Sequence, residues 1–230
     1  MTLSTQSINA DRTQASVVHG MQLAWMDSPA KGVQRKMLER IGGEVALATS
    51  IVRYAPGSIF NSHVHELGEE FLVLDGTFSD EHGNYPAGTY VRNPPGSLHA
   101  PFSKDGCTIF VKLRQMTKDD TYAVTLLPGE QRWETLDTGV YCSLLCVADS
   151  TQVELIRMET GSKLVMPSSL HGEELFVVCG SVRYGNPGST MLTQWSWVRN
   201  PGEVHCVLVC DDDTVLWIKR GHLDHEESET

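Results

Sequence analysis

The chain of 230 residues contains its own template: its second half repeats the first. Gly57, Glu69 and Gly76 recur as Gly161, Glu173 and Gly180 at an offset of 104 residues, and Arg92-Asn93-Pro94 and Lys112 recur as Arg199-Asn200-Pro201 and Lys219 at an offset of 107. The loop between the two blocks is therefore three residues longer in the second copy. A repeat of this length calls for two units of one architecture. Each copy is written in short apolar runs, such as Phe71-Leu72-Val73-Leu74 and Cys107 to Leu113, set off by Gly, Pro and Asp. That is strand punctuation, with Asp75-Gly76 a hairpin-type dipeptide. The expectation is an all-β chain of two tandem units, residues 19–117 and 118–222. A polar, flexible arm (1–18) precedes them and an acidic tail (223–230) follows.

Comparison of the two copies separates what the fold needs from what one half needs for another reason. Arg53 and Arg157, and Arg92 and Arg199, occur in both and are assigned to structural hydrogen bonding. His63 and His65 occur in the first copy only, where the second has Pro167 and Ser169. Two histidines one residue apart leave the same face of a strand. Leu67-Gly68 then offers a turn that brings Glu69 back across from them, and Arg92-Asn93-Pro94-Pro95-Gly96 redirects the chain ahead of His99. Three imidazoles and one carboxylate suit zinc, iron, manganese or nickel. His82, in the turn Glu81-His82-Gly83-Asn84, is expected in solvent and outside this set. In the second copy Glu173 and His205 remain. They are expected to interact with each other, with His171 a weak third member of a relocated site and His222 and His225 weaker still.

The spacing Gly57-x5-His63-x-His65-x3-Glu69-x6-Gly76, followed by Gly88-x5-Pro94-x-Gly96-x2-His99, resembles the two motifs of the cupin superfamily. Only Ser103, where the second motif usually has Asn, departs from the pattern. The resemblance implies two jelly-roll β-barrels of the RmlC-like kind, a bicupin, with one divalent metal held by His63, His65, Glu69 and His99. Over about residues 47–115 the chain also resembles the cupin-like domain of the ChrR anti-sigma factors. That implies zinc at these four residues and a regulatory role in an oxidative stress response through a protein partner. The amino-terminal helical, sigma-binding domain of that family has no counterpart in residues 1–46, which hold no cysteine and only His19. Small cupins with similar ligands are dioxygenases that cleave diketones, so the alternative the resemblance implies is a mononuclear metal-dependent dioxygenase acting on a diketone-like small molecule. Self-association as a homodimer is expected on the same ground.

Composition narrows the partners. A formal net charge of -11 opposes binding to phosphate backbones, so nucleic acid is not expected. No basic cluster leads into an apolar run at the start, and no stretch is apolar over the roughly 18 residues of a membrane span, so a cytoplasmic protein is expected. The six cysteines include no C-x-x-C pair and are expected as reduced, buried thiols. Trp195, Trp197 and Trp217 are expected in a barrel core or an interface.

Overall fold

In the computed structural model, the residues described are 7–43, 45–167, 169–185, 190–202 and 206–223. They form an all-β protein of jelly-roll sheets, with only two 3-10 turns besides. No helix among them is long and apolar enough to cross a membrane. Two compact units are resolved, one containing Leu23–Glu130 and the other Asp11–Gln22 with the chain from Gln131 onward.

Strand order shows the repeat directly. The main sheet of the first unit runs Val124–Leu126, Tyr90–Asn93, Glu69–Asp80, Cys107–Leu113, Ala46–Tyr54, Val33–Gly42 and Met26–Asp27. That of the second runs Ser16–His19, Ser196–Asn200, Glu173–Tyr184, Val207–Arg220, Thr151–Met158, Val140–Ala148 and Glu134–Asp137. Inward side chains of the first sheet (Phe71, Val73, Val91, Ile109, Val111) join Phe78 and Tyr85 in one core. Val140, Ile156, Leu175, Val177, Leu216 and Ile218 make its counterpart. Ile51, Leu72 and Phe110, on the opposite face, are also buried. This is why these strands read as continuous apolar runs instead of alternating ones.

The first strand of each sequence repeat lies in the other unit, contrary to the expected boundaries. Ser16–His19 pairs with Ser196–Asn200, in register Ser16 with Arg199 and His19 with Ser196. Val124–Leu126 pairs with Tyr90–Asn93, in register Val124 with Arg92. Each strand leads into a 3-10 turn, Gly20–Gln22 or Pro128–Glu130, and then to a tryptophan. Trp25 carries Arg53 at 4.3 Å and Trp133 carries Arg157 at 4.4 Å. The described part of the expected arm, residues 7–18, is therefore anchored. Ile8 bridges Arg40, and the Arg199 guanidinium donates to the carbonyl oxygens of Asp11 (2.7 Å) and Gln14. The segment expected to divide the units at residue 117 stays with the first unit to Glu130, because Arg92 pairs with Asp120 and donates to the carbonyl of Tyr122. Arg92 and Arg199 thus hold incoming strands to sheet edges, the structural task expected of them.

The long strand Glu69–Asp80 serves two sheets. Its first half lies in the main sheet, and its second half pairs with Gly83–Pro86 and with Phe102 of a smaller one. Gly76 permits the bend: its φ is +70°, and a side chain there would strike the Gly106 carbonyl. Gly180 repeats this with φ +84° against the Asp213 carbonyl. The small strands His63–Val64 and Leu98–His99 form a separate antiparallel pair. They carry the histidines.

Candidate metal centre

His63 and His99 are direct cross-strand partners in that two-stranded ribbon. His65 lies one residue past the end of its strand, its N–H donating to the Ser97 carbonyl at 3.0 Å. A turn closed at Gly68 (φ +76°) then delivers Glu69 at the head of the long strand. The four residues foreseen at the site converge, with one potential ligand atom from each lying within 4.8 Å of all the others. They are the only group of three or more such residues among the described ones.

Individual separations match a coordination shell. His63 Nε2 and His65 Nε2 are 3.2 Å apart, and the Glu69 Oε2 is 3.5 Å from His65 Nε2 and 3.4 Å from His99 Nε2. Donors about 2.1 Å from a common ion in a tetrahedron are separated by about 3.4 Å. The other ring nitrogens are occupied. Nδ1 of His63 faces the Asn61 carbonyl at 3.0 Å, that of His65 the Ser97 hydroxyl at 3.0 Å, and that of His99 Asp80 Oδ2 at 3.1 Å. Each such contact favours the tautomer with the proton on Nδ1 and turns the Nε2 lone pair inward. His99 is 2% exposed, and its Nε2 has no hydrogen-bond partner among the described residues. Inward lone pairs this close repel unless a cation stands between them, so the residues fit a metal.

Asp80 is a site residue that the motif spacing did not point to. Buried, it contacts His99, accepts hydrogen bonds from the N–H groups of His82 and Gly83, and accepts one from the Tyr85 hydroxyl at 3.0 Å. Burial pushes its carboxyl up, but His99 and these donors together hold it below the usual range. Burial lowers His65. It acts the same way on His99, where Asp80 and Glu69 outweigh it and leave that imidazole raised. Asn93 donates to the Glu69 Oε2 at 3.2 Å and sets its orientation. His82 is exposed at its turn, as expected. Ser103, the departure from the motif, donates its hydroxyl to the Thr77 carbonyl.

A cavity of about 510 Å³ opens from the centre into the first barrel. His63, His65 and Glu69 line it beside Met37, Val52, Ile109 and Val111.

In the second barrel an ion pair stands at the place that matches the histidine and glutamate cluster of the first. Glu173 occupies the place of Glu69, and Arg220, where the first copy has Leu113, lies with its Nε 3.6 Å from Glu173 Oε2. Arg220 also pairs with Glu154, which accepts hydrogen bonds from Gln152 at 2.9 Å and the Cys142 thiol at 3.5 Å. The expected Glu173–His205 contact involves a histidine outside the described residues, as does His225, and the partner found for Glu173 is Arg220. His171 is exposed. His222 is 3% exposed with Nε2 3.1 Å from Glu174 Oε1. Trp197 and Trp217 are fully buried, as expected of core residues. All six cysteines are free, but Cys179 is exposed.

Residues 13–117 match the family model of the ChrR cupin-like domain. No curated protein sequence matches the chain. Among solved structures, a putative dioxygenase from Nostoc punctiforme is similar at a TM-score of 0.74 and 13% identity, over 97% of this chain and 89% of that one. A bacterial pirin from Escherichia coli in complex with nickel(II) is similar at 0.70 and 13%, over 90% and 98%. The oxalate decarboxylase of Lactobacillus farciminis, solved as a formate complex, is similar at 0.67 and 10%, over 90% and 86%. At such identities the likeness is one of fold. The chain has the two-barrel fold of these cupin-fold proteins, and its residues 13–117 are similar to the ChrR cupin-like domain.

Proposed function

We propose that the first barrel is a mononuclear metal centre acting on a small molecule admitted to its interior, with oxygen-dependent cleavage of a diketone-like compound as the reaction class. The observation that carries this reading is the cavity, which reaches three of the four metal-ligand candidates directly. A purely structural zinc site is closed by its protein ligands and has no use for an adjoining pocket, whereas ligand pockets are typically apolar clefts of about 300–1,000 Å³. A bound divalent ion would supply a Lewis acid, and iron, manganese or nickel would in addition keep coordination positions open toward the cavity. The chain's own residues do the rest. His63, His65, His99 and Glu69 hold the ion, while Asp80 and Asn93 orient His99 and Glu69. The apolar wall of Val52, Ile109 and Val111 keeps water from the reacting molecule.

A second reading, a zinc-binding sensor barrel that signals to a protein partner in oxidative stress, is supported by the family match over residues 13–117. Zinc has no redox chemistry, so that reading expects no oxygen consumption. The experiment purifies the protein without added metal, quantifies its metal, reconstitutes it with ferrous iron and follows oxygen uptake against a panel of diketones. Turnover lost in His99→Ala supports the enzyme. One zinc per chain with no uptake on any reconstitution rejects it in favour of the sensor. A homodimer is the assembly we propose for either, and a monomer by sedimentation would refute it.

A further inference from the structure

We infer that the first barrel selects small molecules carrying a carboxylate and that Arg35 is the residue that anchors it. This rests on reading the barrel as a small-molecule metal centre and adds the class of molecule. Arg35 pairs across to Val52, and both line the cavity. Its inward direction follows from strand alternation, since Val33, Arg35 and Met37 share a face before a bulge between Met37 and Glu39 shifts the phase. The Arg35 Nε is buried and has no hydrogen-bond partner among the described residues. A guanidinium Nε left unpaired beside largely apolar walls is costly to keep on a half-buried arginine, and a carboxylate matches the guanidinium fork with two parallel hydrogen bonds.

The other arginines at the cavity are already engaged. Arg114 pairs with Glu66, and Arg40 donates to the Gly43 carbonyl. One available guanidinium, with Glu69 and Asp27 also on the cavity wall, matches a monoanion better than a doubly charged phosphate. The internal repeat argues the same way. Val33 and Val140 hold equivalent places, each opposite the residue after a shared arginine (Tyr54 and Met158), which sets Cys142 where the first copy has Arg35. Arg35 is therefore absent from the barrel that lacks the histidines. The ligand so described bears a carboxylate at Arg35, an apolar stretch against Met37, Val52 and Ile109, and a reacting end at the metal.

The test is calorimetric titration of the 230-residue chain, metal-loaded and chelator-stripped, with hexanoate, 1-hexanol and hexyl phosphate, metal content being measured in parallel. Hexanoate should bind at least about tenfold more tightly than hexanol in both preparations, as expected of a charge-assisted pair. Arg35→Met and Arg35→Gln should each lose that preference with metal content unchanged, and Arg35→Lys should recover part of it; two uncharged variants guard against one that fails to fold. No hexanoate binding, equal binding of hexanoate and hexanol, tighter binding of hexyl phosphate, or a preference that survives in the uncharged variants would overturn the assignment. A preference that disappears on stripping the metal would place the carboxylate on the ion and also overturn it. Absence of metal from the wild-type protein would defeat the metal-centre reading while leaving the stripped-protein comparison to decide on Arg35.

Discussion

Replacing Arg220 by leucine, the residue at the matching place in the first barrel, should be among the most damaging changes in the second. The Arg220 side chain is 14% exposed and stands between Glu154 (7%) and Glu173 (4%). Without it two buried carboxylates lose their counter-charge. Breaking a buried pair from one side costs about 3–5 kcal/mol, because the remaining charge stays desolvated. With a urea dependence of about 2 kcal/mol per molar, the unfolding midpoint should fall by about 2 M. Burial already pushes the Glu173 carboxyl above its ordinary value in spite of Arg220. A raised folded-state value means that the folded protein holds its proton to higher pH than the unfolded chain. Stability from this group therefore falls as pH rises from the unfolded value near 4.5 through the folded one. In Arg220→Leu the window should widen, so the variant should regain stability on acidification toward pH 5. The paired change Arg220→Leu with Glu154→Ser, which copies Leu113 and Ser50 of the first barrel, should cost less than Arg220→Leu alone. Urea unfolding followed by tryptophan fluorescence, with Trp197 and Trp217 as buried reporters, measures each term. A midpoint for Arg220→Leu within about 0.5 M of wild type at pH 7.5, or no gain on acidification, would refute the ion-pair account.

Asp80→Asn should weaken metal binding about 10- to 100-fold, measured by competition with a chromogenic chelator, because loss of the carboxylate behind a ligating histidine lowers its basicity. Metal analysis should find one equivalent per chain. Replacing both His63 and His65 by Ala should abolish it, and Arg220→Leu should leave it unchanged. A thiol reagent at pH 8 should label the exposed Cys179 first and lose that phase in Cys179→Ser; burial pushes Cys107 and Cys206 up to about 11 and Cys142 up to about 12, so these thiols should lag. Gly76→Ala should destabilise by at least about 1–2 kcal/mol in chemical denaturation, the cost of a left-handed backbone with a side chain, before the clash with the Gly106 carbonyl is added.

Repetition, strand punctuation and ligand spacing are local or periodic properties, so the all-β class, the two units and the set His63, His65, Glu69 and His99 could be read directly from the chain. Each of these four residues is placed by a strand or turn within a few residues of it, and the resemblance of the motifs supplied the rest. Tertiary structure decided what depends on contacts between distant residues. Ser16–His19 meets Ser196–Asn200 about 180 residues later, and two valines at the end of a polar segment do not say which remote edge they join. Asp80 ends a strand in a hairpin, where aspartate is ordinary as a turn residue, and only the fold sets it behind His99. The fate of Glu173 was hidden in the same way, since its neutralising partner, Arg220, lies at the far end of another strand. Arg35 is, in sequence, one charged residue among several in Val33–Gly42. Its meaning comes from the barrel that closes around it and leaves its guanidinium facing an apolar cavity.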